Sequence, residues 1–388
     1  MSLPARILVV DDTPHNVTLL EDLLTARGYA VQTASDGIEA LARIGESAPD
    51  LVLLDIMMPR MNGYEVLERL RADPVLRHIP VVVISAVDEL ESVVRCLELG
   101  AEDYLPKPFN STLLRARVSA SLDKKRMRDE IVSYAQRIER DLEFARAIQM
   151  SMVPSDLPAA DTDQSLAVHA ALQPAREIGG DLYDYFWIAP RRLCLVVADV
   201  SDKGASAALF MARTRTTIRL LAARDKAEGA VIRARELVEL INTELCQDNP
   251  HAMFVTLFIG MVDGGSGHLE WCSAGHPPPY RIAADGGVSV LPPGVTMPLG
   301  LETPASCSAG TVHLAPGESL FVYTDGVTEA ANPEGDMFGD ARLAAALGAC
   351  AGVAPRELVD RVLGTVRTFT ASAAPSDDIA ALACRWTP

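Results

Sequence analysis

Residues 111–153 read STLLRARVSASLDKKRMRDEIVSYAQRIERDLEFARAIQMSMV, without a Gly or a Pro. Apolar or small side chains fall at Ile131, Ala135, Ile138, Leu142, Ala145 and then Ile148 or Gln149, in alternating steps of four and three. That spacing makes a heptad seam, with Lys, Arg, Asp and Glu filling the other faces. A helix of this length runs roughly 60 Å, too long to pack on one small domain. It is predicted to join an input module to an output module and to pair with a second copy through the seam. Ala and Gln make that seam weak, and a solvated spacer helix fits the same residues.

Composition sets the frame for what flanks the helix. A chain of 388 residues, 49% of them hydrophobic, supports two or three domains with real cores. The net charge of −17 argues against a nucleic-acid-binding surface and against adsorption on an anionic membrane. Cys96, Cys194, Cys246, Cys272, Cys307, Cys350 and Cys384 are scattered and form no C-x-x-C, as expected of buried residues in a reducing compartment. The opening MSLPARILVVDD has no signal-peptide core, and no apolar run is long enough to span a bilayer. The expectation is a cytoplasmic protein.

Before the helix, short apolar runs at 7–10, 30–34, 51–54, 81–84 and 103–105 alternate with helical patterns at 17–27, 37–46, 63–71 and 89–99. Five strands alternating with helices predict a doubly wound parallel sheet, whose ligands sit beyond the carboxyl ends of the strands. Asp11 and Asp12 end the first strand, Asp55 the third, Ser85 the fourth, and Lys107 follows the fifth. Three carboxylates meeting at one spot repel unless a cation lies between them, and an oxygen-only set suits Mg²⁺. A neighbouring Lys and hydroxyl can hold phosphoryl oxygens, and a carboxylate at the metal can form an aspartyl phosphate. A lone Asp after a strand is ordinarily a turn or a helix cap. Here five such residues would have to coincide.

The stretches ILVVDDTPHN, LVLLDIMMPRMNGYEVLERLR, VVVISA and GAEDYLPKPF resemble a two-component response-regulator receiver. The resemblance covers residues 1–119. It implies that Asp55 is the phosphoacceptor and that Asp11, Asp12, Asp55 and the Met57 carbonyl hold Mg²⁺. It implies that Ser85 and Lys107 contact the phosphoryl group and that Tyr104 swings inward with Ser85. A cis Lys107–Pro108 bond and a histidine kinase or phosphotransfer protein as phosphodonor follow from it too.

After the helix, which Pro154 must end, the period changes. Strand-like runs at 166–172, 193–200, 254–262, 267–273, 279–283, 311–314 and 320–324 often follow one another directly, which indicates antiparallel pairing. Helical patterns fall at 205–223, 231–246, 341–350 and 355–370, and residues 159–164 read as a loop. An α+β domain of sheets with helices outside is expected. Its carboxylates again lie near strand ends: Asp181 and Asp184, Asp199 and Asp202, Asp325, Asp377 and Asp378. Each alone fits a turn. As an acidic set without Cys or His they favour Mg²⁺ or Mn²⁺, and two such ions could activate a water and polarise a phosphoryl group. His276 in CSAGHPPPY fits a proton shuttle or a turn cap equally, and Arg176 fits a solvated side chain better than a phosphate ligand.

EIGGD, VADVSDKG, SAGHPPP, YTDGVTEA and SDDIAAL resemble the metal-dependent (PP2C-like) protein phosphatases, in the bacterial branch of stage II sporulation and stress-response regulators. The resemblance implies two metals bridged by Asp199, with the Val200 carbonyl, Asp325 and Asp377 completing the set and Asp181 bound directly or through water. Asp202 stands where the pattern usually has Gly, which constrains the loop or adds a carboxylate beside the metals. The expected organisation is a receiver at 1–119, a coiled-coil linker at 120–153 and a phosphatase at 154–388. The implied substrate is a phosphoserine or phosphothreonine protein, such as an anti-sigma-factor antagonist. A non-catalytic adaptor that sequesters a regulator is the rival reading, and the full Asp set speaks against it.

Overall fold

A computed structural model of the chain describes residues 4–85, 90–155, 165–224, 232–292 and 296–388. The chain divides into two compact units, Met1–Glu139 and Arg140–Pro388. The first contains strands β1 (Arg6–Val10), β2 (Ala30–Ala34), β3 (Leu51–Asp55), β4 (Val81–Ser85) and β5 (Asp103–Pro106). They form one parallel sheet in the order β2-β1-β3-β4-β5. Helices α1 (Pro14–Thr25), α2 (Gly37–Glu46), α3 (Gly63–Ala72) and α4 (Leu90–Glu98) alternate with the strands. All of β3 and β4 is buried because apolar clusters cover both faces of the sheet, one around Leu8, Val52 and Val66 and one around Ile7, Leu53 and Leu114. Helix α3 starts at a capping box: Asn62 Oδ1 accepts from Glu65 N, and Glu65 Oε2 accepts from Asn62 N.

Helix α5 runs without a break over Ser111–Met152. Leu114, Val118 and Leu122 bury its first turns in the N-terminal unit. Residues 129–141 are all exposed. The expected seam is divided: Ile131 and Ile138 are 69% and 42% exposed, whereas Leu142 and Ala145 are partly covered by the chain itself and Gln149 is buried. A stripe that continues onto the helix's own unit has less of its length left for a second copy.

The second unit holds two antiparallel five-stranded sheets. One has the order β13-β10-β9-β8-β7, from β7 (Leu182–Ala189), β8 (Arg192–Val200), β9 (Val255–Asp263), β10 (His268–Ala274) and β13 (Ser308–His313). The other has the order β12-β11-β14-β15-β6, from β6 (Leu166–Gln173), β11 (Tyr280–Ile282), β12 (Val288–Val290), β14 (Ser319–Tyr323) and β15 (Ile379–Trp386). Period-two alternation builds the layers. Leu320 and Val322 of β14 and Leu382 and Cys384 of β15 join Val196, Leu257 and Leu269 between the sheets. Phe321, Tyr323, Ala381 and Ala383 face the other way, onto α8 (Gly339–Gly348) and α9 (Pro355–Thr370). Helices α6 (Ala205–Arg224) and α7 (Ala234–Cys246) complete the core of the first sheet through Met211, Ile218, Ile241 and Leu245. Strands β7 and β12 were not expected from the sequence. The expected loop at 159–164, and the expected helix starts at Glu89 and Val231, lie outside the described residues.

Candidate functional site

In the parallel sheet the strand order reverses between β1 and β3, and ligands collect at such a point. Carboxylate oxygens of Asp11, Asp12 and Asp55 lie within 4.8 Å of one another there, the one group of three so close among the described residues. Lys107 Nζ donates to Asp11 Oδ2 at 2.8 Å and to Asp55 Oδ2 at 2.7 Å. The Lys107–Pro108 peptide is cis. Ser85 is buried at the end of β4, and Tyr104 is partly buried against the same core. The Met57 side chain points to solvent. Burial raises the Asp55 carboxyl above its ordinary value; Lys107 pulls it back and the Asp11 charge adds to the rise. Burial alone would lower Lys107, but its bonds to Asp11 and Asp55 carry it upward. Three carboxylates against one ammonium leave a net negative, oxygen-lined site, which suits a hard divalent ion such as Mg²⁺. Gly63 is needed beside it, since a side-chain carbon there would come within 2.4 Å of the Asp55 carbonyl oxygen.

The second acidic group gathers where the two sheets of the C-terminal unit meet the loops between them. Asp181 precedes β7, Asp199 ends on β8, Asp325 follows β14 and Asp377 precedes β15. Burial pushes the Asp181 carboxyl well above the ordinary range, and the Asp199 charge pushes it further. Burial, then the charges of Asp325 and Asp377, raise Asp199 to about 7. Asp325 is raised by burial and by Asp377. Such mutual repulsion in an oxygen-only set, with Asp181 buried and Asp199, Asp325 and Asp377 half-buried, is compatible with a shared divalent cation. The set is looser than the first, and Asp377 Oδ2 pairs with Lys203 Nζ at 2.9 Å. The Gly179-Gly180 pair allows the close approach that seats Asp181. A side-chain carbon at Gly180 would lie 2.8 Å from the Val200 carbonyl oxygen, and one at Gly179 would lie 2.2 Å from Asp378 Oδ2.

Residues 189–387, just over half the chain, match a family model described as Stage II sporulation protein E (SpoIIE). The chain belongs to the SpoIIE family. Residues 7–119 of this SpoIIE-family chain match the response regulator receiver domain, so its N-terminal sheet is that of a receiver and its C-terminal sandwich that of a PP2C-like domain. Response regulator PleD of Caulobacter vibrioides is 49% identical over 129 residues, which take in 33% of this chain and 28% of PleD. The chain thus spans well under half of that relative's length. Among solved structures, the RsbU and RsbW domains of Rv1364c from Mycobacterium tuberculosis align over 61% of this chain and 63% of theirs, at 26% identity and a TM-score of 0.51. The SiaA-PP2C domain of Pseudomonas aeruginosa aligns over 65% of this chain and 98% of its own, at 22% identity and a TM-score of 0.56, a likeness of fold. No described helix is long and apolar enough to cross a membrane.

Within the SpoIIE-family unit, some residues singled out by the sequence have other work. Asp184 is fully buried in mid-strand and pairs with Arg219 Nε at 2.7 Å and Arg215 Nε at 3.2 Å, both on α6. His276 is buried, its Nδ1 2.9 Å from Thr256 Oγ1, and burial holds the ring down to about 3, so it is neutral. Arg176 is exposed. Asp202 adopts φ +75°, the left-handed conformation expected of the Gly it replaces, and its carboxylate accepts from Lys203 N and Ser206 Oγ at 2.9 Å each. It braces its own loop.

The part that other residues play in the two sites was missed. Asn16 Nδ2 donates to Asp11 Oδ1 at 3.1 Å. Thr324 Oγ1 donates to Asp181 Oδ2 at 2.6 Å. Asp378 Oδ2 accepts from Gly180 N at 2.7 Å and Oδ1 from Ala175 N at 2.8 Å. Thr324 stands beside Asp325 in YTDG, and that adjacency was the available signal; Asp378 is named with Asp377 in the sequence analysis, but without this anchoring role.

Proposed function

We propose that this chain is a response regulator whose receiver, phosphorylated on Asp55 by a histidine kinase or phosphotransfer protein, controls a Mn²⁺- or Mg²⁺-dependent phosphoserine/phosphothreonine protein phosphatase. The receiver occupies 1–119, a helical linker 120–153 and the phosphatase 154–388. Asp11, Asp12, Asp55 and the Met57 carbonyl hold Mg²⁺ in the receiver, with Ser85 and Lys107 on the phosphoryl group. Asp181, Asp199, the Val200 carbonyl, Asp325 and Asp377 hold two divalent ions in the phosphatase. The observation that carries the reading is the convergence of Asp181, Asp199, Asp325 and Asp377, with Asp199 raised to about 7 by burial and by its neighbours' charges. Bound there, a divalent ion supplies Lewis-acid polarisation of a phosphoryl oxygen and lowers the pKa of a water. Thr324 orients the Asp181 carboxylate, and Lys203 offsets negative charge at Asp377. By family resemblance the substrate is a phosphorylated anti-sigma-factor antagonist, and a structural relative that bears domains named RsbU and RsbW supports that class.

The test is turnover of p-nitrophenyl phosphate with Mn²⁺. Asp199→Ala should lower it by orders of magnitude, because that side chain lies among the three other carboxylates. Activity that persists undiminished in EDTA rules the mechanism out. A parent protein without turnover returns the adaptor reading.

A further inference from the structure

Helix α5 reaches the loop of the second acidic centre through Gln149. Gln149, in its closing turns, is 4% exposed. Its Nε2 donates to the Gly179 carbonyl at 2.6 Å, and its Oε1 accepts from Gly179 N at 3.2 Å. Both ends of the amide are thus spent on the backbone of one residue, as one peptide group pairs with another. Gly179 has nowhere to yield on its far side, where Asp378 stands within contact of any added carbon. The next residue, Gly180, donates its N–H to Asp378 Oδ2 at 2.7 Å, and Asp181 follows. The loop that delivers Asp181 is therefore clasped between α5 and the segment before β15.

We propose that Gln149 is a positioning residue for this centre, so that the last turn of α5 sets the affinity of the Asp181 group for a divalent cation. This rests on the phosphatase reading above for the identity of the centre. A shift or rotation of α5 at Gln149 carries the Gly179 peptide with it, because the two hydrogen bonds fix both the N–H and the C=O of that residue. Displaced by such a shift, Asp181 leaves the place that Thr324 and Asp199 define. Without the amide, Gly179 keeps a buried N–H and a buried C=O with no partner, and the loop relaxes toward solvent to satisfy them. Residues 129 to 141 of the helix, before the clasp, are all exposed. A motion of α5 would thereby be felt as a change in metal occupancy, with the reacting atoms themselves untouched.

The experiment uses the full chain with Asp12→Ala, so that the receiver's carboxylates do not contribute, and compares it with the same chain carrying Gln149→Leu. Mn²⁺ alone is titrated, by calorimetry and by electron paramagnetic resonance of the free ion, and p-nitrophenyl phosphate hydrolysis is followed against Mn²⁺ concentration. Loss of the two bonds should weaken Mn²⁺ binding about tenfold. The Mn²⁺ concentration for half-maximal rate should rise by the same factor, while the rate at saturating Mn²⁺ falls less. A merely structural role lowers the thermal midpoint and leaves the Mn²⁺ affinity at the parental value, and that result overturns the proposal. Should Gln149→Leu fail to fold, Gln149→Glu keeps an acceptor for Gly179 N and sets a carboxylate against the Gly179 carbonyl. Parental affinity in that variant overturns the proposal as well. A parent that binds Mn²⁺ but hydrolyses nothing defeats the phosphatase reading alone, since the affinity comparison still stands.

Discussion

Asp378 should matter as much as the carboxylates that surround it, for a different reason. It is 9% exposed, and its two oxygens each accept one backbone N–H, from Ala175 at 2.8 Å and Gly180 at 2.7 Å. A hydrogen bond to a charged acceptor contributes about 1.5–3 kcal/mol. Asp378→Ala removes both acceptors and strands two donors. Part of that loss is offset, because the Asp378 charge also repels Asp181 and Asp199. The net expectation is a destabilisation of about 3–5 kcal/mol, a large share of what holds an ordinary domain together. Asp378→Asn keeps one carbonyl acceptor and turns an amide toward the other N–H, so about half the loss remains. Urea unfolding followed by tryptophan emission is the assay. Trp187, Trp271 and Trp386 are the chain's three tryptophans, and all lie in Arg140–Pro388, so the signal reports that unit alone. The expected order of stability is parent, Asn, Ala. An Ala variant within about 1 kcal/mol of the parent, or one more stable than Asn, would refute the account of the loop.

Further outcomes follow from features already described. Incubated with acetyl phosphate and Mg²⁺, the parent should gain one phosphate by intact mass and Asp55→Asn none; equal uptake sinks the assignment. Burial holds His276 at about 3 against an ordinary 6.5. As pH falls the unfolded chain therefore takes up the proton first, and native stability is lost from pH 6.5 downward at up to about 1.4 kcal/mol per unit. His276→Asn should flatten that slope in urea midpoints measured between pH 6.5 and 5, and parallel slopes would show that the ring does not contribute. Glu at both Ile131 and Ile138 should dissociate the expected dimer in light scattering, since both are exposed seam positions; a monomeric parent at micromolar concentration would end the idea.

Strand ends were the legible part of this chain. Asp11, Asp12, Asp55 and Lys107 could be gathered on paper because a parallel sheet brings its carboxyl ends together. Asp199, Asp325 and Asp377 were visible for the related reason that each flanks an apolar run. What stayed hidden depends on partners far off in the sequence. LYDYFWIA was read for its acids and missed as β7, because Asp184 looks polar until Arg215 and Arg219 of α6 are laid against it. By its spacing Gln149 reads as a weak seam position, and nothing local reveals that Gly179 lies 30 residues on and in contact. Asp378 could not be told from Asp377 without knowing which of the two turns inward. Periodicity records which face of an element is covered, and it cannot say by what.

The sheet order carries a consequence for synthesis. Strand β6 hydrogen-bonds only to β15 among the described strands, and β15 lies between β6 and β14. Ala175, which Asp378 anchors, precedes it by 203 residues. At translation speeds of ~5–20 residues per second, a nascent chain waits about 10–40 s between exposing β6 and receiving its partner. The receiver's sheet is closed within local sequence and can form early on the ribosome. In the second unit the strand that closes the sheet also brings Asp377 and Asp378, so closure and assembly of the acidic centre are one event. An unfinished polypeptide can hold a folded N-terminal sheet while the second acidic centre is still incomplete.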